Sequence, residues 1–313
     1  MRNTRLYIPF FLFALALLSC RSAHLASLPA SFPSFYKEGH RGARGLMPEN
    51  TIPAMTKGIE SGANVIEVDI YTTKDSQVIV AHDPFINREF SLLPNGQEIP
   101  EADEKRYLVH QMPYAEVKRF DVGLKPHPGF PDQAKIPAYI PLFSELIDSV
   151  ENFTKSRGLP PTIYNIELKS AVNFDGKYNA DPKTLVDAVM KVVKSKNIGN
   201  RYYIQSFDYR PLQYIHKEYP RVRMAFLTGN ATSFEQNLKE LGFNPNIYSP
   251  HYNLVTAELV SKCKQMNIKI VPWTVNTINE MKAMKALGVD GIITDYPNHF
   301  KEIEHTNNKP TNR

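Results

Sequence analysis

From Asn200 onward the chain repeats itself. Short apolar runs end at Gln205, Leu227, Ser249, Val271 and Thr294, at intervals of 22, 22, 22 and 23 residues. The runs are Tyr202 to Gln205, Met224 to Leu227, Asn246 to Ser249, Ile268 to Val271 and Gly291 to Thr294, and amphipathic stretches alternate with them at Tyr209 to Glu218, Ser233 to Leu241, Thr256 to Met266 and Ile278 to Leu287. So constant a period means one strand–helix unit used repeatedly. Earlier runs at Phe35 to His40, Val65 to Tyr71 and Thr162 to Leu168 bring the strands to eight, and the last of these precedes the amphipathic stretch Pro182 to Lys196. Eight parallel strands, each followed by a helix, close into a (β/α)8 TIM barrel of about 250 residues. An open doubly wound sheet is the alternative, but no glycine-rich dinucleotide fingerprint follows any strand.

One segment breaks the period. Between His82 and Thr162 the chain is rich in Pro and aromatics and has no clear pattern until a helix-like stretch at Leu142 to Glu151, so an insertion over about 84–161 is expected after the second strand. Gln77 to His82 reads as an extra short strand, hairpinned to the one before it. The barrel domain is expected over 35–302, followed by a polar tail over 303–313. The N-terminus carries Arg2 and Arg5, then an apolar run from Leu6 to Leu18 that is too short to span a bilayer, which is the pattern of a secretory leader over 1–19. Its ending, Leu17-Leu18-Ser19-Cys20, resembles a bacterial lipobox. That resemblance implies an exported lipoprotein held at the periplasmic or cell-surface side of a membrane by a lipid on Cys20. Cleavage near Ser22 to Ala26 by an ordinary signal peptidase is the other reading. Removing the leader takes Arg2 and Arg5 with it and lowers the net charge from +5 to 5 − 2 = +3. It also leaves Cys263 without a disulfide partner, as a small apolar residue on a helix. The basic residues are interspersed with acids and form no phosphate-tracking stripe, so nucleic acid is not an expected partner.

In such a barrel the chemistry gathers at the C-terminal strand ends. There the first strand ends in His40-Arg41-Gly42, the second carries Glu67-Val68-Asp69 and the third Glu167-Leu168-Lys169. A spacing of two on a strand puts Glu67 and Asp69 on one face, and likewise Glu167 and Lys169. Three buried carboxylates demand compensation. A divalent cation held by Glu67, Asp69 and Glu167 supplies it, and an all-oxygen ligand set favours Ca²⁺ or Mg²⁺ over Zn²⁺. Salt bridges to Lys169 and Arg41, with no ion bound, are the competing account. His40 and His82 flank the acids and form a candidate acid/base pair. Arg41 and Lys169 carry donors suited to phosphate oxygens. Together these groups describe phosphodiester hydrolysis.

His40-Arg41-Gly42, Pro48-Glu49-Asn50-Thr51, Glu67-Val68-Asp69, His82-Asp83, Glu167-Leu168-Lys169, Gln205-Ser206-Phe207, Trp273-Thr274-Val275-Asn276 and Gly288 to Asp295 resemble, in order, the glycerophosphodiester phosphodiesterases. The resemblance runs from about His40 to Pro297 and implies metal-dependent hydrolysis of small-molecule glycerophosphodiesters to glycerol 3-phosphate and an alcohol. It implies Glu67, Asp69 and Glu167 as metal ligands, His40 and His82 as the catalytic pair, and Arg41 and Lys169 as phosphate contacts. It further implies attack by the glycerol 2-hydroxyl and a cyclic phosphate opened by water. Trp273, just past a strand end, is expected to bound the glycerol moiety, Gln205 to line the pocket, and Glu49 to support Arg41. Gln205 is favoured over His251 and Asp295, which also follow strands. Asn50-Thr51 reads as a helix cap, and Phe120 and Tyr139 as the insertion's own core. Hydrolysis of lysophospholipids or other lipid headgroups, and phosphodiester binding without turnover, are the competing functions.

Overall fold

A computed structural model describes residues 32–230 and 232–304; the leader, Cys20 and the tail from 305 onward lie outside them. The strands are β1 (Tyr36–Gly39), β2 (Val65–Thr72), β3 (Val78–Val80), β4 (Ile163–Leu168), β5 (Tyr202–Ser206), β6 (Met224–Thr228), β7 (Ile247–Pro250), β8 (Lys269–Ile270) and β9 (Gly291–Thr294). Eight of them lie side by side in the order β8-β7-β6-β5-β4-β2-β1-β9, all parallel. Backbone bonds from Asp290 N to Ile270 O (2.8 Å) and from Ile293 N to Pro272 O (2.9 Å) bring β9 against β8 and all but close the ring. This is the expected (β/α)8 barrel.

Period-two alternation explains why the strands can be buried on both faces. Along β2, Ile66, Val68 and Ile70 face the helices, while Val65, Glu67 and Asp69 face the barrel interior. The helices start on side-chain caps: Thr51 Oγ1 accepts from Ala54 N before Ile52–Glu60, and Thr277 and Glu280 form a reciprocal capping box before Ile278–Leu287. Cys263 is fully buried in the helix Ala257–Gln265, as expected for a packing residue.

The insertion has a core of its own. β3 pairs antiparallel with β2, as the hairpin reading requires, and the following loops pack Ile86, Ile99, Val109, Val117, Phe120 and Val122 against Tyr71 and Ile79. Phe120 belongs to that cluster, and the Tyr139 hydroxyl donates to Glu145. The helix at the end of the segment is longer than its sequence pattern indicated, Phe143–Ser156, and joins the helical ring between Ile52–Glu60 and Pro182–Ser195. The part that departs from the barrel therefore ends near Leu142. Among the described residues no helix is long and apolar enough to cross a membrane.

Inside the barrel the base is filled by Tyr36, Val65, Ile163, Tyr203, Ala225, Ile247, Val271 and Ile293, with Phe32 packed against them and the Arg223 guanidinium 3.6 Å from its ring centroid. Above this layer lies a buried carboxyl. Glu38 accepts hydrogen bonds from Tyr203 Oη (2.6 Å) and from Asn165 Nδ2, is wholly inaccessible to solvent, and makes no ion pair with any described residue. Burial pushes its carboxyl up to about 7, because the two hydrogen bonds only partly offset lost hydration. An acid whose pKa is raised on folding contributes stability in full below its unfolded value of about 4.3, and loses that contribution as pH climbs through the folded value. Wild-type stability relative to Glu38→Gln should therefore fall by up to about 3 kcal/mol between pH 4 and 8. Urea unfolding across that range checks it; a difference that does not change with pH contradicts the assignment.

Candidate active site

The turn after β1 sets the geometry. Gly42 sits at φ 86°, where a Cβ would lie 2.5 Å from the backbone of Ala54, so the turn can pass only with glycine there. Arg41 (φ 49°) and Asn50 (φ 58°) also occupy the left-handed region, a cost on the order of 1 kcal/mol each that the surrounding bonds must hold. Arg41 N donates to Glu67 Oε2 (2.6 Å), and Arg41 Nη1 donates to Glu49 Oε1 (2.7 Å). Asn50 Nδ2 donates to Asp69 Oδ2 (2.8 Å), and Asp69 N donates to Asn50 Oδ1 (3.2 Å). Thr51 alone is the helix cap; Asn50, read from the sequence as part of it, instead clasps Asp69.

Glu67, Asp69 and Glu167 present ligand-capable oxygens within 4.8 Å of one another, and all three side chains are buried. Burial, compounded by repulsion from Asp69 and Glu167, pushes the Glu67 carboxyl well above the usual carboxylate range. Asp69 behaves oppositely. Burial disfavours its charge, but Lys169, His82, Arg41 and the Asn50 amide outweigh burial and hold it far below that range. Lys169 Nζ lies 2.7 Å from Glu167 Oε1 and 3.4 Å from Asp69 Oδ1, and those two acids keep it charged despite burial. Arg41, with Nε 3.4 Å from Asp69 Oδ2, is held charged in the same way by Glu49, Asp69 and Glu67.

The expected salt bridges thus exist, yet they leave the charge incomplete. Arg41 and Arg44 pair with Glu49, Arg41 and Lys169 with Asp69, and Lys169 with Glu167, while among the described residues no cationic side chain pairs with Glu67. Glu67 Oε1 is buried with no hydrogen-bond partner. An acceptor-only oxygen in that state, next to two further carboxylates, fits a bound hard cation.

Both histidines are backed by a carboxylate. His40 Nδ1 lies 2.6 Å from Asp295 Oδ1, and Asp295 in turn accepts from Asn276 Nδ2 (2.7 Å). His82 Nδ1 lies 2.9 Å from Asp83 Oδ1, and Asp83 accepts from Asn87 Nδ2 (2.7 Å). This leaves Nε2 of each ring free of those partners. The environments differ: the His40 side chain is 14% exposed, that of His82 33%. Burial lowers the pKa of His40, with Asp295 only partly restoring it. His82 sits at the root of the insertion, beside a hollow lined by Glu49, Asp83, Phe85 and Phe90.

Gln205 is buried and points Nε2 at Glu167 Oε2 (3.4 Å). Trp273 is half-buried, donates from Nε1 to Ser249 O (3.0 Å), and is flanked edge-on by Phe207 and His251 at centroid distances of 5.3 and 5.2 Å. Glu49 supports Arg41 as expected and also holds Arg44 Nε at 2.6 Å, with the insertion's His127 Nε2 at 3.6 Å. Arg41, Glu49, Glu67, Asp69, Glu167, Lys169 and Gln205 are therefore joined by contacts in one cluster, with His40 next to Arg41 in the chain, and Trp273 stands past the end of β8 against Phe207 and His251. Sequence reasoning underrated Asp295 and did not single out Asp83, Asn87 or Asn276.

A parallel barrel with paired histidines and clustered carboxylates at its C-terminal strand ends defines a barrel phosphodiesterase. Residues 40–299 match the glycerophosphoryl diester phosphodiesterase family, and the chain belongs to it. It is 31% identical over 261 residues to a glycerophosphodiester phosphodiesterase of Caldanaerobacter subterraneus, covering 82% of this chain and 93% of that protein. It is 30% identical over 269 residues to one from Bacillus altitudinis, covering 84% and 96%. Its fold matches that of an Oleispira antarctica phosphodiesterase solved with the product sn-glycerol-3-phosphate, with a TM-score of 0.67 and 19% identity over 86% of this chain and 96% of that one.

Removing Glu49 would leave the buried guanidinium of Arg41 and the half-buried one of Arg44 without their shared partner. Glu49→Ala should cost about 3 to 5 kcal/mol. Chemical denaturation checks this, and a loss within 1 kcal/mol, roughly the surface-pair range, would contradict the role given to Glu49.

Proposed function

We propose that the chain hydrolyses glycerophosphodiesters such as glycerophosphocholine and glycerophosphoethanolamine to sn-glycerol 3-phosphate and the alcohol, using His40 as general base and His82 as general acid. The observation that carries this reading is the placement of two carboxylate-backed histidines on either side of one buried acid cluster. Glu67, Asp69 and Glu167 would hold a Ca²⁺ or Mg²⁺ ion, whose charge would polarise a phosphoryl oxygen. Arg41 and Lys169 face the same phosphate, Trp273 bounds the glycerol, and Gln205 orients Glu167.

Burial favours the neutral form of His40, the form that can accept a proton. His40 takes the proton of the glycerol 2-hydroxyl through Nε2 while Nδ1–H donates to Asp295, whose carboxylate stabilises the resulting imidazolium. The 2-oxygen forms a bond to phosphorus, the bond from phosphorus to the alcohol oxygen breaks, and His82 gives that oxygen its proton. In the second step the roles reverse. His82 takes a proton from water, the water oxygen adds to phosphorus, and His40 returns its proton to the 2-oxygen as the ring opens. His82 is the acid because it lies against the insertion, on the side where the variable alcohol would sit.

His40→Ala and His82→Ala should each lower turnover by about two to four decades on glycerophosphocholine. A glycerophosphodiester with a p-nitrophenol leaving group needs no protonation on departure, so the first, single-turnover release of p-nitrophenolate should be largely restored in His82→Ala but not in His40→Ala, while opening of the cyclic phosphate by water stays slow in both. Rescue of the His40 variant instead reverses the assignment, and near-normal turnover of either variant on glycerophosphocholine removes that histidine from the mechanism.

A further inference from the structure

Beneath the catalytic mouth lies a polar layer that the reaction does not use. Each of its members stands two residues before a site residue: Asn165 before Glu167 on β4 and Tyr203 before Gln205 on β5, each pair on one inward face, and Glu38 on β1 before His40, which follows the strand's last residue. Asn165 is also the register partner of Glu67 on β2 and of Tyr203 on β5. All three are buried, and they bond to one another across the barrel: Asn165 Nδ2 and Tyr203 Oη both donate to Glu38.

We propose that Glu38 is a neutral carboxylic acid that, with Asn165 and Tyr203, forms a positioning layer fixing β1, β4 and β5 beneath His40, Glu167 and Gln205. A charged carboxylate at full burial needs a cation or several strong donors. Glu38 makes no ion pair with any described residue and has two donors that are themselves neutral. Burial also pushes its carboxyl up to about 7. A neutral acid carries one O–H donor of its own, and the layer supplies an acceptor for it, because Asn165 Oδ1 is buried without a partner. The two ends of an amide have the same shape, so Asn165 fits its site equally well when turned over. Turned, its Oδ1 accepts the Glu38 proton, the other Glu38 oxygen accepts from Tyr203, and Nδ2 becomes available to the layer above. That layer offers a buried acceptor without a partner among the described residues, Gln205 Oε1. The layer thus ties the ligand strands together without adding a fourth negative charge beneath the acid cluster.

The inference rests on Glu67, Asp69 and Glu167 holding a cation, and the test reads binding apart from turnover. Ca²⁺ is titrated calorimetrically into the metal-stripped wild type, Glu38→Gln and Glu38→Leu, and thermal unfolding of each is recorded in EDTA. Glu38→Gln keeps a donor and an acceptor without charge and should bind Ca²⁺ within about 3-fold of wild type. Glu38→Leu, which fills the space without either, should bind about 10- to 100-fold more weakly. Its melting temperature in EDTA should fall, because Tyr203 Oη and Asn165 Nδ2 lose their shared acceptor, yet stay above the temperature of the titration, so that the affinity is read on folded protein. Equal affinity of wild type and Glu38→Leu overturns the positioning role, and loss of affinity in Glu38→Gln overturns the neutral acid. A wild type that binds no Ca²⁺ overturns the ligand assignment and this inference together. Should Glu38→Leu fail to fold, Tyr203→Phe, which loses only the hydroxyl, takes its place, and wild-type affinity there is equally fatal.

Discussion

Three carboxylates buried within ligand distance of one another are the constraint around which the mouth of this barrel is built. Like charges in a medium of low dielectric repel strongly, and each has also lost its hydration. The compensations are visible residue by residue. Lys169 lies against Glu167 and Asp69, Asn50 clasps Asp69, and the Arg41 backbone amide serves Glu67. Two of these helpers, Arg41 and Asn50, take up left-handed backbone conformations to reach their partners. The turn of His40-Arg41-Gly42 therefore belongs to the electrostatics of the acid cluster as much as to the placement of His40. The free oxygen of Glu67 marks where protein groups stop and a cation would complete the balance.

Around that centre the two histidines are related by chemistry and set apart by environment. Each has an Asp on Nδ1 and an Asn behind the Asp, so the same tautomer is favoured in both. His40 is built into the barrel wall, whereas His82 stands where the chain leaves the barrel for the insertion. The insertion reaches back to the phosphate side through His127, which stacks on Phe90 and approaches the Glu49 carboxylate that holds Arg41. The insertion is thereby connected, through Glu49, to Arg41.

The barrel was legible because its strands are buried on both faces and so read as apolar runs at a fixed spacing, and because helices such as Phe234–Leu241 and Ile278–Leu287 begin and end at recognisable caps. The acids, histidines and cations of the site stood out because charged residues interrupt those runs. What stayed hidden depends on the fold. Asp295 meets His40 across 255 residues of chain, and Asn50 sits beside a genuine cap residue that masks its separate bond to Asp69. Asp83 is adjacent to His82, but adjacency alone gives no sign that its side chain turns back onto the ring. β8 is only two residues long in the structure, because past Ile270 the chain bonds irregularly toward Trp273, a local detail that periodicity smooths over.

The claim on which the account turns is that this site cleaves a glycerophosphodiester with the help of a cation. The direct measurement is release of sn-glycerol 3-phosphate from glycerophosphocholine by the purified protein, before and after removal of metal with EDTA and again after Ca²⁺ or Mg²⁺ is restored. The account predicts release that EDTA abolishes and one of these ions returns. No release at saturating ion, or release indifferent to EDTA, would contradict it.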